Sequence, residues 1–117
     1  MNSELQRLYK LNGQHDVVVT IHSAVQEAGD NGDWSCTYSV VGLGHSKQRQ
    51  SIGVDGMQAL YLAMIYIATD LYNSVEYQRG NLTWLGNFDL GLPVAEIMRD
   101  YVDETRAALN KQFDEPQ

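Results

Sequence analysis

Three histidines and a single cysteine are the residues best equipped for chemistry in this chain, and their spacing argues against most of it. His15, His22 and His45 fall on different strands or turns. None stands in the HxH, HExxH or Cys/His pattern that holds a transition metal. Two of them joined by Asp16 or Asp55 would make a metal site if the fold gathered them, but solvated histidines are the expectation, with no metal and no cofactor. Cys36 lies between Trp34 and Tyr38 on an alternating segment, which places its thiol on an apolar face as a small protonated hydrophobe. Gly53-x-x-Gly56 leads into a helix N-terminus, where an anion could sit. Asp55 already puts negative charge at the cap and no lysine follows, so this pair and Gly42-x-Gly44 read as turns.

Carboxylates are the second chemical resource. Glu96, Asp100 and Asp103 recur at i, i+4 and i+7 and would share a face of the last helix. A catalytic pair needs environments that split its two pKa values, usually by burial in a cleft. These acids lie opposite the apolar stripe, so a solvated face is expected first and a patch for a basic partner second. Asp100, Asp103 and Glu104 are the acids expected to steer such a partner. Trp84, in a turn-rich connection with Leu82, Leu85 and Phe88, either caps the core or anchors another protein, and is the anchor expected here. No catalytic motif is present, and an enzyme is not expected.

The elements that must position these residues read as α+β. Leu5–Leu11 and Val17–Ile21 flank Asn12-Gly13, the dipeptide suited to a two-residue type I′ hairpin. Val17, Val19 and Ile21 share one face; Val18, Thr20 and His22 share the other. Trp34, Cys36, Tyr38 and Val40 alternate with Ser35, Thr37, Ser39 and Val41, the clearest period-two signal in the chain. Gln48–Val54 makes a fourth strand. Asp55 and Gln58 form a capping-box variant before a helix carrying Leu60, Met64, Ile67 and Leu71, widened by Leu62, Ala63 and Ile65. Tyr61, Tyr66 and Tyr72 are expected at its margins. Pro93 suits the first turn of a final helix whose stripe is Val94, Ile97, Met98, Tyr101, Thr105, Ala108 and Leu109. The expectation is one domain: an antiparallel meander of about four strands over residues 4–54, a buried helix over 55–73, a loop over 74–92 and an amphipathic helix over 93–112.

Composition fits this reading. The chain of 117 residues is 44% hydrophobic and 20% charged, with a formal charge of −7. That balance repels nucleic-acid phosphates and favours basic partners. The longest apolar stretch, Met57–Leu71, is broken by Gln58, Thr69 and Asp70 and falls short of the roughly 20 residues of a membrane span. One cysteine and a polar opening segment lead to the expectation of a cytoplasmic protein.

Asp33-Trp34-Ser35-Cys36-Thr37-Tyr38, Gly53-Val54-Asp55-x-x-Gln58-Ala59-Leu60 and Leu82-x-Trp84-Leu85-Gly86 together resemble a family of small bacterial domains of unknown function, over about Asn12 to Val94. The resemblance implies a bacterial source and the meander-and-helices fold, and it implies no catalytic residues. In size, charge and compartment the chain is also similar to immunity proteins that block a secreted toxin. The functional expectation is a non-enzymatic binding protein that occludes a basic toxin domain. The alternatives are a small ligand-binding domain or hydrolase using His22 or His45 in a pocket between sheet and helices, and a structural homo-oligomer.

Overall fold

The chain folds as an antiparallel sheet of six strands packed against helices, in a computed structural model that describes residues 4–28, 32–44 and 47–114, with the Asp114 side chain left out. His45 therefore lies outside the described residues. Strands β1 (Glu4–Leu11) and β2 (His15–His22) pair from Glu4↔His22 to Leu11↔His15. Between them Asn12 and Gly13 take φ of 58° and 70°, as a type I′ turn requires, and the Gln14 N–H donates to the Leu11 carbonyl at 3.1 Å. The ladder resumes only at His15, so the loop has three residues rather than the expected two.

β2 is central. Val17, Val19 and Ile21 are buried on its helix-facing side. After Ser23 and Ala24 the chain resumes as β3 (Val25–Gln26), which continues along the same edge of β4 (Trp34–Val41). The opposite edge of β4 pairs with β5 (Lys47–Gly53) over its whole length. β6 (Leu82–Thr83) closes the far side against Lys10 and Leu11. Cys36, Tyr38 and Val40 point into the core as their alternation requires. The four expected strands are present, and the two additional ones have only two residues each.

Helix α1 (Gly56–Tyr72) starts where its cap lies. The Asp55 carboxylate accepts from the Gln58 N–H at 2.8 Å, and the Gln58 side chain accepts from the Val54 N–H at 2.8 Å. Its contact face is narrower in side-chain volume than the leucines suggested. Ala59, Ala63, Ile67, Ala68 and Leu71 are buried, whereas Leu60 and Met64 are only partly covered. Close approach is the reason. A Cβ on Gly53 would stand 2.5 Å from the Ala59 nitrogen, and the buried Ser51 hydroxyl donates to the Ala59 carbonyl at 2.5 Å. Alanines let the helix backbone descend onto β5.

The last helix departs from expectation. Residues Leu92 to Met98 run beside α1, sharing clefts with Tyr61 and Ile65, and Leu92, Val94 and Met98 pack partly buried against the core. Ala95 keeps ψ at 141° and lacks a capping side chain, so a 3-10 turn (Glu96–Met98) precedes α3 (Arg99–Asp114). The helix expected from residue 93 thus begins at 99. Ile97 is 92% exposed, and of the expected stripe only Leu109 is fully buried; Val102 takes the place assigned to Tyr101. Pro93 disfavours helical backbone only at Leu92; the delay beyond it lies with Ala95, whose extended ψ postpones the first turn to Glu96.

Gly53→Ala should destabilise the fold by about 1–3 kcal/mol through overpacking against the helix backbone. Urea denaturation would read this as a lower midpoint at unchanged slope.

Candidate functional site

Residues Asn73 to Gly91 contain only α2 (Val75–Gln78) and β6 as regular structure. Three buried phenols hold the irregular backbone at Phe88 and Leu90. Tyr9 donates to the Leu90 carbonyl at 2.8 Å, Tyr77 donates to the Phe88 carbonyl at 2.9 Å, and the Tyr72 oxygen accepts from the Leu90 N–H at 2.9 Å. Tyr72 is therefore buried rather than marginal, edge-on to Tyr77 with ring centres 4.9 Å apart. Burial raises the pKa of all three above the ordinary tyrosine value, most of all for Tyr77.

On this support sits a two-residue hairpin. Trp84 and Asn87 exchange both backbone hydrogen bonds, at 2.9 and 2.8 Å. Leu85 and Gly86 occupy its tip with φ of 53° and 80°. The Arg7 guanidinium lies 4.0 Å from the Trp84 ring centre and donates to the Gly91 carbonyl at 2.8 Å. A Cβ on Gly91 would overlap the Trp84 ring, so glycine is what allows the indole to lie flat there. Trp84 is thus half-buried and serves as the base of the hairpin. Leu85, 78% exposed, is its apex.

The expected acids are tied to this region through one arginine. Arg106 pairs with Asp89 at 3.6 Å and with Asp103 at 3.3 Å, while Asp89 accepts from the Gly91 N–H at 2.9 Å. Asp103 connects in this way to the segment under Trp84. Asp100 and Glu104 are exposed on the same outer side of α3 and form no ion pair among the described residues. Glu96, in the 3-10 turn, falls out of the i, i+4, i+7 series. On its inner side α3 is held by Val102 and Leu109, and by Phe113, whose ring is tilted against Phe88 with centres 5.8 Å apart.

Other candidates resolve simply. His15 is exposed at the start of β2. His22 pairs with Glu4 at 3.1 Å beside a cleft of about 490 Å³ that Leu5, Ile21 and Leu60 line. Cys36 is buried, its thiol donates to the His22 carbonyl at 3.3 Å, and burial pushes its pKa up. Among the described residues no three His, Cys, Asp or Glu side chains gather around a common point, and no helix is long and apolar enough to cross a membrane. Two features carried no sequence signal. The left-handed backbone of Leu85 is one, since only Gly86 announces a turn. Asp70, in the last turn of α1, is the other; it faces Arg49 across 4.0 Å.

A family described as a domain of unknown function, DUF6968, matches residues 5–94, and the chain belongs to it. The match takes in the sheet, α1 and the hairpin and ends before α3. No curated protein and no solved structure matches the chain.

Leu85→Asn should raise stability by about 1 kcal/mol, since asparagine tolerates left-handed backbone that costs leucine about that much. Thermal unfolding would read the change directly. Stability should also fall in alkali. Folding holds the three phenols protonated beyond the ordinary pKa near 10, so their contribution is complete below about pH 10 and is lost as pH climbs through the folded values. Tyr77→Phe should make that decline shallower in denaturation experiments between pH 8 and about pH 11.

Proposed function

Starting from a family without an assigned activity, we propose that this protein is a binding module that acts by contact rather than catalysis. Its contact surface is the Trp84–Asn87 hairpin together with the outer acids of α3. The observation that carries this reading is Leu85: a large apolar side chain, exposed at a turn apex, on backbone that disfavours it. An exposed side chain gains little from its own fold to offset that strain, whereas burial in a partner's pocket would offset it. The base beneath it is held in place, because Trp84 packs against Arg7 and Gly91, which are themselves hydrogen-bonded to each other. A preorganised anchor loses little entropy on binding.

The formal charge of −7 and the exposed Asp100 and Glu104 favour a basic partner, with electrostatics setting the rate of encounter and the hairpin setting residence time. A cytoplasmic bacterial immunity protein that occludes a basic toxin domain has this character, and it is the biological role proposed. Bacteria expressing the chain should survive a basic toxin encoded by the neighbouring gene; full sensitivity of those cells would overturn the role. In the purified pair, Asp100→Asn/Asp103→Asn/Glu104→Gln should slow association about tenfold at low salt and leave dissociation nearly unchanged. Leu85→Asp should instead speed dissociation, costing about 2 kcal/mol of affinity or more. Surface plasmon resonance at two ionic strengths separates the two effects.

The His22–Glu4 pair favours one second reading, a small-molecule site in the cleft at the end of the β1/β2 hairpin. His22→Ala would abolish ligand binding there without altering a partner's residence time on the hairpin.

A further inference from the structure

Helix α1 stays apolar on the side that does not meet the sheet. From Gly56 to Thr69 its sequence contains no Asp, Glu, Lys or Arg. Ala59, Ala63 and Ile67 form the ridge that is buried, with Ala59 set against Gly53 and Ser51 of β5. Met57, Tyr61 and Ile65 each stand two positions before a member of that ridge. Two positions are about 200° around the helix, so these three make a second ridge on the far side. A helix that is apolar all round is ordinarily buried all round. Here residues 92–98 share clefts with Tyr61 and Ile65, yet Met57 remains 81% exposed, and Tyr61, Tyr66 and Ile97 are exposed as well.

The two ends of the far ridge are unlike. Met57 projects at its start, an unbranched side chain that adapts to irregular gaps. Ile65, at its other end, lines a cleft of about 570 Å³ together with Tyr66, Ile97 and Met98. Tyr61 is midway between them. A two-fold axis at Tyr61 therefore carries Met57 of each copy to the cleft of the other, and the contact closes on itself. Charge agrees with this register. Arg49 lines the same cleft, so Asp55, two residues before Met57, approaches an opposite charge on the second copy.

We propose that this ridge is the interface of a homodimer in which Tyr61 meets its counterpart on the axis. Two observations select a second copy over a partner of other chemistry. Each copy carries a formal charge of −7, and like-charged molecules approach at least cost where the surface is uncharged. A basic partner finds no carboxylate on this ridge. The area is also of the right order. At about 200 Å² for a large side chain, the exposed apolar groups offer roughly 600 Å², which is most of the roughly 800 Å² that each partner gives to a standard interface. Neither Trp84 nor Leu85 lines these clefts, so the proposal goes beyond the hairpin reading and stands without it.

Sedimentation equilibrium of the full chain is the test. The parent is expected to dimerise with a micromolar or tighter dissociation constant. Met57→Asp should weaken the dimer about tenfold or more, because it buries an unpaired carboxylate in the contact. Ile97→Asp should act in the same direction, and it carries the test should Met57→Asp fail to fold. Tyr61→Cys should give a covalent dimer on mild oxidation, whereas the parent, whose one thiol is buried, should not. Leu8→Cys is the control, since Leu8 alternates with the buried Tyr9 and lies on the other face of the sheet. Leu85→Asp should leave the dimer intact, which separates this proposal from the hairpin reading. A parent that is monomeric at about 100 µM overturns it and leaves the ridge to a different kind of partner. It is equally overturned if the dimer withstands both aspartates, if Leu85→Asp dissociates it, or if Leu8→Cys cross-links as readily as Tyr61→Cys.

Discussion

Three hydroxyl groups carried by Tyr9, Tyr72 and Tyr77 fix the backbone at Phe88 and Leu90, and the arrangement of everything after α1 depends on that grip. Each such bond has a net worth of only about 1 kcal/mol, but leaving the Leu90 N–H and the two carbonyls unmet in the core would cost more. The tyrosines come from β1, from the end of α1 and from α2, so the grip also ties sheet to helices. Gly91 then lies under the Trp84 ring, Asp89 reaches Arg106, and Phe88 meets Phe113. A connection poor in regular structure acquires a single shape in this way. The rigid hairpin and the docking of α3 are both consequences.

What the sequence made legible was the part governed by local rules. Alternation at Trp34–Val41 and Val17–Ile21 announced the sheet and its inner face, and Asp55 with Gln58 announced the start of α1. These features depend on backbone periodicity and on one capping hydrogen bond, both of which are short-range. The contact face of α1 was less legible. Its centre is Ala59 and Ala63 rather than the neighbouring leucines, because the separation between helix and β5 is set by Gly53 and Ser51, distant in the pattern though near in space. The start of α3, at Arg99 rather than residue 93, escapes local rules for a related reason. Pro93 suits a first helical turn, yet residues 92–95 pass beside α1 without regular structure and Ala95 keeps an extended ψ, and that passage has no local signature.

The candidate site was legible in outline only. Trp84 and its apolar neighbours stood out by type, but type alone does not separate the half-buried base of a hairpin from its exposed apex. That division came from Arg7, some eighty positions away, and from the missing side chain at Gly91. The acids of α3 are exposed, with Asp103 paired to Arg106. Asp70 had figured only as a polar interruption of an apolar stretch. Its proximity to Arg49 depends on β5 lying beside α1, a relation that no window along the chain contains.

The grip is tested most directly by amide hydrogen exchange at Leu90, followed by NMR in the parent chain and in Tyr72→Phe. The account predicts that the Leu90 N–H exchanges in the parent as slowly as the amides of β4, by global unfolding alone. In the variant it should exchange far faster while β4 keeps its protection. A Leu90 amide that already exchanges within minutes in the parent, with β4 still protected, would contradict the claim that these phenols hold the second half of the fold.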